Sequence, residues 1–170
     1  MPKNGIIRAE DSKVAYMSFK HLNLDPEIEA YLEANKINTP TPIQNLAITK
    51  ILTTKNNFFI GAQTGAGKTL CYLLPIFQLL KDEEKLAGEE KLTMKNRPRA
   101  IIIAPSKELI SQIVHEAKKI SHHSRLAVLR LNSDSSFRSE REGLEKGADI
   151  VVTTIQRLEA HIRKGNLYTS

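Results

Sequence analysis

The stretch Gly61-Ala62-Gln63-Thr64-Gly65-Ala66-Gly67-Lys68-Thr69 holds the residues with the plainest chemistry in this chain. The apolar run Phe58-Phe59-Ile60 leads into it, and a helix-forming run from Leu70 to Leu80 follows. A strand entering a Gly-rich turn that opens a helix is an anion site. Unpaired backbone N–H groups and the positive helix end, about half a charge, converge on one point. Gly65 and Gly67 let the backbone close on a phosphate without Cβ clashes. Lys68 has the reach and charge for β- and γ-phosphates, and the Thr69 hydroxyl suits Mg2+. Ala62 stands where the general form of this loop has its first Gly. The pattern points to a nucleoside triphosphate.

Other polar groups fall where a strand is expected to give way to a helix. Pro105-Ser106-Lys107 offers a hydroxyl, free N–H groups and a cation to a phosphate, although a plain Ser N-cap would use the same residue. Thr154-Ile155-Gln156-Arg157 repeats the arrangement. Gln44 follows Thr41 at capping-box spacing, and its amide also presents a donor beside an acceptor, which matches the N7/N6 edge of adenine. The 5 histidines and single cysteine show no ligand spacing. Cys71, inside the apolar helix, reads as a packing residue, and His122-His123 as a solvated helix end.

Positioning these groups takes alternating strands and helices. Asp25-Pro26 opens a helix to about Ala34, and Thr41-Pro42 opens another to about Leu52. A strand at 57–61 precedes the phosphate loop, and the helix after it runs to about Leu86 with Pro75 inside. Residues 87–98 are polar and read as a surface insertion. Strands are then expected at Arg99–Ala104, Arg125–Leu131 and Ala148–Val152, with helices at 106–120, 136–146 and 155–164. This alternation means βαβ units, an α/β fold whose parallel sheet is flanked by helices on both faces, with ligands at the strands' carboxyl ends. Residues 1–17 show no periodicity and read as an N-terminal extension, leaving 18–170 as the domain.

At 170 residues, with 41% hydrophobic and 26% charged residues, the chain has the composition of a soluble globular protein. A net charge of +6 favours a polyanionic partner, and one cysteine excludes an internal disulfide. No run has the length of a membrane span or the apolar core of a secretory signal, so the expected setting is intracellular, nucleus or cytoplasm, with no membrane partner.

Thr39-Pro40-Thr41-Pro42-Ile43-Gln44, then Ala62 to Thr69, then Ala104-Pro105-Ser106-Lys107-Glu108-Leu109 together resemble the first RecA-like domain of a DEAD-box RNA helicase. The resemblance covers residues 18–170 and implies a RecA-like P-loop fold, ATP and Mg2+ as cofactors, and RNA as partner. It assigns phosphate binding to Ala62 through Thr69, with Lys68 and Thr69 as catalytic groups. Thr39 and Gln44 fall in the adenine-reading segment. Phe19 lies 17 residues before Lys36, where the family has an aromatic that stacks on adenine. Lys36-Ile37 replaces the family's Gly-aromatic pair. Pro105, Ser106, Lys107, Thr154 and Arg157 match positions that hold the RNA backbone, although the family has Thr-Arg at 106–107 and Thr-Pro-Gly-Arg at 154–157. Asn132-Ser133-Asp134 replaces a Gly-Gly turn, and Asp134 there would repel a phosphate.

The acidic Asp-Glu-Ala-Asp string that holds Mg2+ in the resembled family does not occur, and the chain stops at Ser170, about where that strand is due. The expectation is therefore a fragment of a longer helicase whose second RecA-like domain and protein cofactors complete the site. Alone it is expected not to hydrolyse ATP. The alternative is a degenerate RNA-binding module that keeps the nucleotide pocket. A phosphotransferase of another P-loop family is disfavoured by the Pro-Thr-Pro-Ile-Gln segment at 40–44.

Overall fold

Side-chain caps set most helix starts in this protein. The computed structural model describes residues 4–8, 18–88 and 92–169, and the chain divides into two units, Met1–Asp82 and Glu83–Ser170.

In the first unit, β1 (Asn4–Arg8) pairs in parallel with β2 (Asn57–Gly61). A 3-10 turn at Phe19–Leu22 precedes α1 (Pro26–Ala34) and α2 (Pro42–Thr53), and α3 (Lys68–Ala87) follows β2. Asp25 caps α1 by accepting from the Glu27 N–H, with Pro26 at the first helical position, where its missing N–H costs nothing. Thr41 and Gln44 form a complete capping box at α2. Ile7, Ile43, Ala47 and Cys71 form a core cluster against which Phe58, Ile60, Ala62 and Ala66 pack, so the loop's own alanines help fix its place. Pro75 is buried inside α3, which continues through it to Ala87.

In the second unit, β3 (Ala100–Ile103), β4 (Val128–Leu131) and β5 (Ile150–Thr153) form a parallel sheet in the order β3-β5-β4. The connecting helices are α4 (Lys107–Ser124) and α5 (Phe137–Lys146), and α6 (Ile155–Arg163) follows β5. Central β5 is buried along its whole length, as a strand with parallel neighbours on both sides must be. Its Val151 joins Leu131, Leu144, Ala148, Leu158 and Leu167 in a second core cluster. The register sets Ile103 and Leu131 both level with Thr153. Residues 104–106, 132–134 and 154 therefore leave the sheet at one edge.

The parallel sheets flanked by helices agree with the expected fold class. Four details differ. Residues 4–8, read from the sequence as part of an N-terminal extension without periodicity, form β1; the remainder of that extension lies outside the described residues. Residues 93–97 are tied down, with Thr93 Oγ1 donating to Asp149 Oδ1 (2.6 Å) and Asn96 N to the Leu144 carbonyl (2.9 Å). The helix expected to end near 120 continues to Ser124. The strand expected from Arg125 starts only at Val128, because Arg125 takes a left-handed conformation (φ 59°) that ends α4.

Candidate functional site

The phosphate loop is held from both sides. Gly65 and Gly67 have φ of +83° and +78°, a region L side chains seldom enter. A Cβ on Gly67 would also lie 2.3 Å from Gln44 Nε2. At the start of α3, Leu70 N donates to the Gly67 carbonyl (3.2 Å), and the N–H groups that precede it, which a helix leaves without an internal partner, are the loop's intrinsic anion donors. Lys68 Nζ donates to the carbonyls of Ala62 (2.5 Å) and Gln63 (2.9 Å), oxygens that stand in for the phosphate oxygens it is suited to bind. The Thr69 hydroxyl is hydrogen-bonded to the Tyr72 phenol, whose pKa burial raises. Burial likewise pushes the Cys71 thiol up to about 11, so it packs as a protonated side chain. Gln63, Thr64 and Gly65 are exposed at the crest. A phosphorylated nucleotide with Mg2+ fits this set: a backbone cradle with no room for a Cβ at Gly67, one ammonium, and one hydroxyl.

The adenine-segment residues are arranged less simply. Gln44 is 4% exposed, and both ends of its amide are engaged. Oε1 accepts from Thr41 N (2.8 Å), while Nε2 donates to the Gly67 carbonyl (3.1 Å). Thr41 Oγ1 donates to the Ala66 carbonyl (3.0 Å). Gln44 is thus a capping residue and a tether to the phosphate loop at once. Phe19 is buried and lines a shallow hollow of about 400 Å3 with Ser18, Lys20, Leu32, Ile37 and Asn38, and Gln44 does not line it. His21 bonds Asn45 of α2, which holds the 3-10 turn carrying Phe19. Lys36 adopts φ 57°, the left-handed geometry that a Gly would take without strain. Thr39 is exposed.

The second unit gathers a cleft at its sheet edge. Pro105, Ser106, Lys107, Thr154 and Arg157 line one hollow of about 560 Å3, together with Ser133. The caps are as the sequence suggests: Ser106 Oγ accepts from Leu109 N (3.3 Å) and Thr154 Oγ1 from Arg157 N (3.2 Å). The Thr154 hydroxyl can offer its hydrogen to an outside acceptor, whereas the Ser106 hydroxyl is also hydrogen-bonded to the Glu108 carboxylate. The cations are not free. Lys107 Nζ meets Asp134 Oδ1 at 2.7 Å, and this hydrogen bond, helped by Arg130, holds the Asp134 carboxyl below its ordinary range. Glu108, also in the lining, is lowered first by its own backbone N–H and then by Ser106.

Arg157 is tied more deeply. Its Nε and Nη2 reach Glu140 Oε2 at 2.9 and 2.8 Å, and Nη2 also donates to the Ser135 carbonyl (3.1 Å). Glu140, 2% exposed, accepts in addition from Asn132 N (2.7 Å) and from His161 Nε2 (2.8 Å). The His161 ring stacks on Phe137 at 4.0 Å, and Arg157 lies over Phe137 at 4.6 Å. Sequence reasoning missed Glu140 and set His161 aside. The only available signal was a carboxylate on the α5 face that also carries the core residue Leu144 at i+4 spacing.

Comparison with known proteins bears on both sites. The family model described as DEAD/DEAH box helicase matches residues 41–170. "DEAD-box ATP-dependent RNA helicase 39" of Arabidopsis thaliana is 37% identical over 92% of this chain and 25% of its own length. "ATP-dependent RNA helicase RhlB" of Shewanella oneidensis is 36% identical over 86% of this chain and 32% of its own. Among solved structures, the RNA helicase Prp28 from Chaetomium thermophilum bound to ADP superposes with TM-score 0.76 and 30% identity, covering 92% of this chain and 36% of that one. A DEAD box protein from Methanococcus jannaschii gives TM-score 0.75 and 28% identity over 91% and 39%. This chain thus spans between 25% and 32% of the two curated relatives. Among the described residues, no helix is long and apolar enough to cross a membrane.

Proposed function

The chain belongs to the DEAD/DEAH box helicase family, and on that premise we propose that it is the ATP-binding, N-terminal RecA-like domain of an ATP-dependent RNA helicase, with β1 at 4–8 part of that domain. The observation that carries this reading is the phosphate loop tethered by Thr41 and Gln44. Lys68 would exchange the Ala62 and Gln63 carbonyls for nucleotide phosphates, and Thr69 would turn its hydroxyl from Tyr72 toward Mg2+. Gln44 would read adenine by giving up its internal bonds, with Phe19 beside the base. ATP supplies the free energy for separating short RNA duplexes in the complete protein. A second RecA-like domain and protein cofactors would complete the machinery. Ser106, Lys107, Thr154, Pro105 and Arg157 would hold the RNA backbone without regard to sequence.

Isothermal titration with ADP and ATP tests the nucleotide half. Lys68→Ala should weaken both by roughly 10- to 100-fold, the worth of a charged hydrogen bond, while thermal melting stays the same. Equal affinity in the variant removes the loop from the proposal. A degenerate RNA-binding module is the second reading, favoured by the carboxylates that offset Lys107 and Arg157. Nucleotide binding without RNA-stimulated turnover in the complete protein would select it.

A further inference from the structure

Resting on the reading of the cleft as an RNA-backbone site, we propose that Asp134 is a built-in competitor for phosphate at Lys107. Nucleic acid then binds by exchanging a carboxylate for a phosphate oxygen, not by filling an open cationic site. Lys107 follows β3 and Asp134 follows β4, so their 2.7 Å pair joins the two outer strands across the end of β5. The carboxylate is presented there by design of the turn. Asp134 Oδ2 accepts from Asn132 Nδ2 (3.2 Å), and Asn132, 1% exposed, is itself anchored through its N–H to Glu140.

The two ion pairs of the cleft differ in the property that matters for exchange. Lys107 and Asp134 have side chains 49% and 55% exposed, so water and ions reach both partners. Arg157 and Glu140 are 19% and 2% exposed and are cross-bonded to Ser135, Asn132 and His161. A phosphate can displace Asp134 at the cost of a solvated pair; displacing Glu140 would leave a carboxylate buried and unmatched. Lys107 is therefore the exchangeable cation, whereas Arg157 would meet a phosphate without leaving Glu140 and the Ser135 carbonyl. Asp134 sets the affinity and, more sharply, the salt dependence. Each net charge neutralised on a single strand contributes about 0.7 to the slope of log affinity against log salt. A lysine that must first release a carboxylate adds almost nothing.

The test is fluorescence-anisotropy binding of labelled poly(U) to the 170-residue chain over a salt series, with Asp134→Asn, Lys107→Gln and the double variant alongside. Asp134→Asn should bind up to about fivefold more tightly at low salt, the range of an exposed pair, and converge on wild type as salt rises. Its slope should be steeper by about 0.7. In the Lys107→Gln background the same substitution should leave the slope unchanged. Equal slopes for wild type and Asp134→Asn overturn the proposal while leaving the cleft as an RNA site. The same gain with and without Lys107 also overturns it, showing repulsion at a distance instead of competition. No binding by any variant refutes the cleft reading itself, and the proposal with it.

Discussion

The phosphate loop and the sheet-edge cleft would hold phosphate by opposite means. The loop uses backbone N–H groups, a helix terminus and Lys68, all within residues 61–69. The cleft uses side chains from the ends of separate strands, and its two cations already face carboxylates at 2.7 and 2.8 Å. A backbone cradle cannot be neutralised by a neighbouring residue, because its donors are part of the chain's own geometry. A side-chain site can be, and here it is. The difference predicts a nucleotide site that tolerates surface change and a nucleic-acid site whose strength depends on a few acidic residues.

Removing the most buried carboxylate should break the comparison most severely. Glu140→Ala strands Arg157 and His161 without their partner and should lower stability by about 3–5 kcal/mol, read by urea unfolding. A loss below about 1 kcal/mol, within the range of an exposed pair, would mean that Arg157 is held by Ser135 and Phe137 alone and that the cleft is less constrained than its geometry implies.

Gln44 sharpens the other side. If its amide leaves Thr41 and Gly67 to meet adenine, ADP should bind more tightly than GDP by about 1–3 kcal/mol, and Gln44→Ala should erase most of that gap. Titration calorimetry with both nucleotides decides it. Equal affinities in the wild-type chain would leave Gln44 as a cap and loop tether only.

The smallest effect belongs to a hydroxyl shared by a cap and the cleft. Ser106→Ala should cost about 1 kcal/mol of stability through the lost bond to Leu109 N. Ser106→Asp restores the cap and adds a negative charge to the cleft, so it should recover melting temperature while weakening poly(U) binding. Recovery of both would take Ser106 out of the nucleic-acid site.

Much of the architecture was legible because local chemistry dictates it. Asp25-Pro26, Thr41-Pro42-Ile43-Gln44 and Ser106 cap their helices as their residue types require, and the apolar runs at 57–61 and 150–153 are strands. β1 was hidden because its five residues, with a Gly among them, carry neither alternation nor a long apolar run. Its strand state comes from pairing with β2, a non-local event. The polar stretch before β3 looked like a free insertion because its anchors, Asp149 and Leu144, lie about 50 residues away in sequence.

By itself the sequence determined the phosphate loop, since backbone conformation, helix start and lysine are specified within one short segment and need no distant partner to bind an anion. It also determined which residues gather at the strand ends, because parallel βαβ connections send every strand's carboxyl end to one edge. Only the tertiary structure decided the charge of that edge. Asp134 and Glu140 sit on a turn and a helix whose sequence reads as ordinary solvated polarity, and pairing with Lys107 and Arg157 follows from the β3-β5-β4 order that brings those segments together. Ion pairing depends on separations of a few ångströms between residues far apart along the chain, and a distance of that kind exists only once the sheet has formed.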